Sequence, residues 1–111
     1  MNYTSVAEVA EEMNRQIAKW GEQNHPDYFL PDVFEVSVEH DIELTTEFAK
    51  ALCDERLGAT DCSWQDILNE ELMEARDEAI AGNTATLREE LIQIAAVACS
   101  WVNAIDRRNK A

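Results

Sequence analysis

Apolar residues in the first twenty positions recur at helical intervals: Val6, Val9, Ala10, Met13, Ile17 and Trp20 share one face of a helix. Ser5 and Glu8 have capping-box spacing, so this helix is predicted to start at Ser5 and to stop at Gly21. From Gly21 to about Ile42 the periodicity fails, and Pro26 and Pro31 break any continuing helix. A segment of this length without regular structure signals a binding loop or a flexible one. Inside it Phe34, Val36 and Val38 alternate, which predicts a short extended piece. A second helix is expected from about Leu44 to Leu57, with Phe48, Ala51 and Leu52 inward and Gly58 as its stop.

The next helix carries the candidate chemistry. Ser63, with Asp66 three residues on, predicts its start, and Gly82 and Asn83 predict its end. Projected at about 100° per residue, Ile67, Leu68, Leu72, Ala75 and Ala79 form one apolar arc, and Glu71 falls inside it. Glu78 and Glu74 line the edge of the arc, whereas Glu70 and Asp77 point to solvent. An isolated carboxylate placed among apolar groups costs roughly several kcal/mol, so Glu71 must be paired, protonated or bound to a cation. The alternative is a polar edge facing a gap between helices.

A last helix is predicted to open at Thr86, with Glu89 completing a capping box, and to run through Arg107. Leu87, Leu91, Ile94, Ala98, Trp101, Val102 and Ile105 make its inner stripe, but Ile92, Ala96 and Cys99 are apolar on another side. A helix apolar on two sides is covered twice, either by a second subunit or by the long loop. Glu90 lies beside the inner stripe with Gln93 one turn along. An antiparallel hairpin therefore lets both meet the glutamates of the preceding helix. The expected architecture is all-α, a bundle of about four helices in one domain of 111 residues, completed by dimerisation, with a long irregular loop after the first helix.

Composition narrows the function classes. Apolar residues make up 46% and charged residues 29%, and no stretch approaches the roughly 18 consecutive apolar residues of a membrane span. Glu8, Glu11 and Glu12 interrupt the opening helix, so a secretory leader is not expected and the cytoplasm is the expected compartment. Cys53, Cys62 and Cys99 have no CxxC spacing and no histidine pair nearby; reduced, structural thiols are expected. With 23 acidic against 9 basic residues the net charge is −14, which disfavours nucleic-acid and anionic-lipid partners and favours divalent cations. No Gly-rich phosphate loop, GxSxG or HExxH occurs, and His25 and His40 are distant in sequence from the acidic helix.

The segment Glu71-Leu72-Met73-Glu74, then fifteen residues, then Glu90-Leu91-Ile92-Gln93 resembles the ExxE…ExxD signature of MazG-like nucleotide pyrophosphohydrolases. Trp20-Gly21-Glu22-Gln23-Asn24-His25-Pro26-Asp27 and the run from Glu89 to Val97 are similar to segments of small MazG-like proteins of bacteriophages and actinobacteria. For a phage-encoded chain the compartment would be the host cytoplasm. The resemblance implies an all-α dimer or larger assembly holding Mg²⁺ or Mn²⁺ between Glu71, Glu74, Glu90 and Gln93 while a nucleoside triphosphate loses pyrophosphate. By analogy, Glu70 or Glu74 is the base that accepts the proton of the attacking water. Gln93 departs from the signature: its amide can offer an oxygen but brings no negative charge, and Glu78 is a possible replacement.

For substrate, Trp20 offers a stacking face, and Gln23, Asn24 and His25 offer amide and imidazole donors. Trp20 reads equally as a core aromatic, and His25 beside Pro26 reads also as a loop-fixing donor. Arg88 is the cation expected to meet a triphosphate; Arg107 and Arg108 read better as charges offsetting the helix dipole. Two rival functions remain. One is a catalytically weakened relative that binds nucleotide or protein, favoured by Gln93. The other is an acidic mimic of DNA, which requires an exposed carboxylate array and is opposed by buried Glu71 and Glu90.

Overall fold

The computed structural model describes residues 2–59 and 62–110, the side chains of 57–59 excepted. Five helices and no strand occur among the described residues: α1 (Thr4–Trp20), α2 (Val33–Glu39), α3 (Thr46–Ala59), α4 (Trp64–Ala81) and α5 (Thr84–Asn109). The chain is all-α, as expected. None of these helices is long and apolar enough to cross a membrane.

The helices pack in the order α1, α5, α4, α3, so α4 and α5 are each flanked on two sides. One cluster, Val33, Ala49 and Met73 with Leu44, Phe48 and Leu52 against it, joins α2 and α3 to α4. A second, Trp64, Val97 and Ala104 with Ile67, Leu68 and Trp101, joins α4 to α5. α1 is held from one side only: it contains no buried residue, and Val6, Ile17 and Trp20 are mostly exposed.

The bounds of α4 follow local chemistry. Ser63 accepts from the backbone N–H of Asp66 while Asp66 reaches back to the N–H of Ser63, and Gly82 closes the helix in the left-handed region at φ 78°. The backbone N–H groups of Trp64 and Gln65, left over at that start, donate to the carbonyls of Pro26 and Asp27. α1 ends at Gly21, φ 72°, as expected. Its start differs: Tyr3 is the N-cap, and Ser5 makes no cap. α5 begins at Thr84, two residues before the expected Thr86, with Asn83 before it and no side-chain cap.

The larger differences lie where periodicity was ambiguous. The expected extended piece at Phe34–Val38 is α2; Asp32 accepts from the N–H of Glu35, and this cap after Pro31 sets a helix in which Val33 is buried and Phe34 and Val38 face out. α3 continues through Gly58 rather than stopping there. Ala49 and Cys53, not Ala51, take the inner positions of α3. On α5 the buried residues are Ala96, Val97 and Ala104, whereas Leu91 and Val102 are 51% and 57% exposed and Ala98 is exposed too. The helix is rotated from its expected facing because a surface apolar nearly all round does not select a side. Ala96 and Val97 are therefore covered by the chain itself.

Cys53 and Cys62, nine residues apart with Cα atoms 5.8 Å from each other, are paired as a disulfide across the α3–α4 connection. This overturns the expectation of three reduced thiols; Cys99 remains free and exposed. Nearby, Arg56 of α3 forms a buried ion pair with Asp66, Nη1 to Oδ2 at 2.7 Å, and also donates to the carbonyl of Pro31.

Residues 21–32 are fixed in place along much of their length. Asp27 accepts from Trp101 Nε1 at 2.9 Å and from both Nη atoms of Arg108 at 3.2 and 3.1 Å. Arg107 donates to the carbonyl of Gln23 at 2.9 Å and to Asn24 Oδ1, and pairs with Glu22 at 3.2 Å. The Arg108 guanidinium, and after it the Trp101 indole, hold the Asp27 carboxyl below the usual carboxylate range. Arg107 and Arg108 thus clamp the loop to α5, beyond any role at the helix dipole.

Candidate metal centre

Glu71 and Glu74 are three residues apart on α4, hence on one face, and the tight α4–α5 turn at Gly82 and Asn83 brings Glu90 opposite them. One carboxylate oxygen from each lies within 4.8 Å of the other two, and all three residues are half-buried. This is the one such group of His, Cys, Asp or Glu among the described residues. The buried Oε2 atoms of Glu71 and Glu90 have no hydrogen-bond partner among the described residues. A cation would satisfy them from outside.

The electrostatics follow from that crowding. Burial first, then the Glu90 carboxylate beside it, push the pKa of Glu71 up to about 8. Glu74 is raised for the same two reasons in the same order, with Lys50 acting in the opposite sense. Glu70, expected to face solvent, is half-buried; burial raises its pKa and Asp54 adds to the effect, against the pull of Lys50. Lys50 Nζ lies 3.7 Å from Glu74 Oε1.

All-oxygen carboxylate donors at this spacing fit a hard divalent cation such as Mg²⁺ or Mn²⁺, and no sulfur or imidazole donor joins them to favour a softer one. Glu71, Glu74 and Glu90 would hold the ion. Gln93, the fourth expected ligand, lines the groove next to Glu71. Glu78 stands apart from the trio, accepting from Asn83 Nδ2 at 2.9 Å, so it does not replace the missing acid.

A groove of about 650 Å³ reaches this site at Glu71. Glu70, Glu71 and Ile67 of α4, Gln93 and Val97 of α5, and Cys53 and Asp54 of α3 form one wall. Arg15, Gln16, Lys19, Trp20 and Gln23 form the other. Trp20 is 61% exposed, which excludes the core-aromatic reading; one face of its ring carries the Lys19 ammonium at 4.8 Å.

The expected substrate residues therefore separate. Trp20 and Gln23 share the groove with Glu70, Glu71 and Gln93. Asn24 and His25 line a different recess with Arg107 and Arg108, and His25 packs edge-on against Trp64 at 4.9 Å, a loop-fixing position. Arg88 pairs with Glu8 of α1 in a neighbouring recess that also contains Gln93 and Arg15. Sequence reasoning missed Arg15, Lys19, Lys50 and Asp54. The i,i+4 spacing of Arg15 and Lys19 just before Trp20 was an available signal; for Lys50 and Asp54 there was none, since only the α3–α4 packing brings them near. No family model, no curated protein and no solved structure matches this chain.

Proposed function

We propose that the chain is a metal-dependent nucleoside triphosphate pyrophosphohydrolase, converting an NTP or dNTP to the monophosphate and pyrophosphate. The observation that carries this reading is the convergence of Glu71, Glu74 and Glu90 within 4.8 Å, beside a groove whose far wall bears Arg15, Lys19 and Trp20. Bound Mg²⁺ or Mn²⁺ would neutralise phosphate charge and lower the pKa of a coordinated water. The residues then divide the work. Glu71, Glu74 and Glu90 hold the ion, and Gln93 offers its amide oxygen to the ion or its amide N–H to a phosphate. Arg15 and Lys19 meet the phosphates, and the free face of Trp20 receives the base. Glu70, with a proton affinity raised by burial, accepts the proton of the water that attacks the α-phosphorus; Glu74 is the other candidate base.

Self-association through α5 belongs to the same reading. Leu91, Ala98 and Val102 make an exposed stripe over three turns of α5, and on α4 Leu72 and Ile80 are exposed too, Ile80 at 70%. Charges introduced there, Leu91→Glu with Val102→Glu, are expected to reduce the mass found by light scattering to that of one chain. Unchanged mass would remove this face as an interface.

Gln93 favours a second reading, a weakened relative that binds nucleotide or protein without turnover. The DNA-mimic reading loses support because its three key carboxylates are half-buried rather than an open array. Pyrophosphate release from a panel of ribo- and deoxyribonucleoside triphosphates with Mg²⁺ and Mn²⁺ separates the first two. Release by the native chain, lost in Glu71→Gln, is the expected result, with Gln93→Asp tightening metal binding by about tenfold through its added charge. Release seen in Gln93→Asp alone would select the weakened relative.

A further inference from the structure

Among the described residues, one ammonium touches the carboxylate trio. Lys50 projects from α3, is 58% exposed on its side chain, and places Nζ 3.7 Å from Glu74 Oε1. Its helix otherwise faces the site through an acid: Asp54, one turn further along α3, lines the groove next to Glu70. Glu70, Glu71 and Glu74 of α4, Glu90 of α5 and Asp54 of α3, with a single lysine at their edge, are an arrangement whose own cation carries one charge. The contact is long and open to water, so the attraction is screened and the pair opens readily.

We propose that Lys50 is an exchangeable counter-ion, holding Glu74 while no divalent cation is bound and turning to the phosphates of the nucleotide once Glu74 is engaged by the metal. This rests on the pyrophosphohydrolase reading and adds to it a substrate-binding residue outside the glutamate signature. Charge dictates the exchange. A divalent cation on Glu74 repels a neighbouring ammonium, and it brings with it the phosphate oxygens that complete its coordination. Those oxygens place new negative charge beside the ion that Glu74 holds, where they compete with Glu70 and Asp54 for the ammonium on its four-carbon stem. A lysine is suited to that task, being a compact point charge with rotatable donors rather than a fixed fork.

The two roles predict opposite signs for one substitution. In Lys50→Gln, Mn²⁺ binding to the nucleotide-free chain, followed by calorimetry at low ionic strength, is expected to tighten by about threefold because a screened repulsion is gone. Binding of inorganic tripolyphosphate in the presence of saturating Mn²⁺ is expected to weaken by about tenfold, and Lys50→Arg to recover most of it. Tripolyphosphate makes the readout independent of the base and of turnover. If Lys50→Gln leaves both affinities unchanged, or moves them in the same direction, Lys50 is a surface ion pair or a support for Glu74 and the proposal is overturned. Native chain that binds Mn²⁺, loses it in Glu71→Gln and ignores Lys50→Gln rejects the counter-ion role alone. Native chain that binds no Mn²⁺ rejects the metal site and Lys50's role together.

Discussion

Glu71→Gln is expected to abolish metal-dependent pyrophosphate release and, in the same protein without metal, to raise the melting temperature at pH 8. Both effects come from one cause. Glu71 is half-buried beside Glu90 and Glu74 with a pKa of about 8, so the native chain binds its proton far more tightly than the unfolded chain does. As pH rises from about 4.5 to about 8, the unfolded state gives up this proton while the native state keeps it. The contribution of Glu71 is therefore fully present below about 4.5 and lost by the time pH passes the native pKa. Gln carries no such penalty. Because Glu71 is only half-buried, solvent screening reduces the effect to about 1–2 kcal/mol, or about 5 °C at this chain length.

For catalysis the sign is reversed. Even outer-shell partners of a metal ligand cost about 10–100-fold when removed, so loss of a ligand itself should cost on the order of 100-fold or more in release. Melting curves from pH 5 to pH 9 with and without Mg²⁺ test the first half, and pyrophosphate release tests the second. A variant that is destabilised equally at every pH, or that still turns over, would mean that Glu71 is an ordinary structural residue. In the native chain Mg²⁺ should also lift the high-pH branch of the curve, since the metal takes the place of the proton.

The largest purely structural effect is expected at Asp66. Its carboxylate, 3% exposed, receives Arg56 from α3 at 2.7 Å and closes the capping box that starts α4. Asp66→Ala removes a carboxylate paired with a mostly buried guanidinium and one half of the cap together. Breaking a buried pair in this one-sided way costs about 3–5 kcal/mol, which here means a fall of more than 10 °C in melting temperature. Asp66→Asn keeps an oxygen for the cap and should fall between. Denaturant titration with Ser63→Ala as the comparison separates the two contributions, since loss of the cap alone costs about 1 kcal/mol. Equal losses for Asp66→Ala and Ser63→Ala would show that the ion pair adds nothing. Glu70 and Glu71 stand on the next turns of the same helix, so fraying at Asp66 would also loosen the carboxylate trio.

The convergence of Glu71, Glu74 and Glu90 could be read from this sequence because its determinants are local. Ser63 with Asp66, and Gly82 with Asn83, delimit α4; ExxE spacing puts Glu71 and Glu74 on one face; and a two-residue turn leaves α5 little freedom of register, so Glu90 arrives opposite them. Each of these constraints acts within about one helical turn or one hairpin. Tertiary structure alone decided the rest. It chose which side of α5 is covered, because apolar residues almost all round a helix encode burial without encoding direction. It buried Val33 of α2 against α3 and α4, where seven residues with alternating apolar positions satisfy either period and only the local Asp32 cap favours the helix. It turned Glu70 inward, paired Cys53 with Cys62, fixed Asp27 to Trp101 and Arg108, gathered Arg15, Lys19 and Asp54 around one groove, and set Lys50 beside Glu74. Those contacts join separate elements, and their partners are selected by how whole faces pack, a quantity that no short window of residues contains.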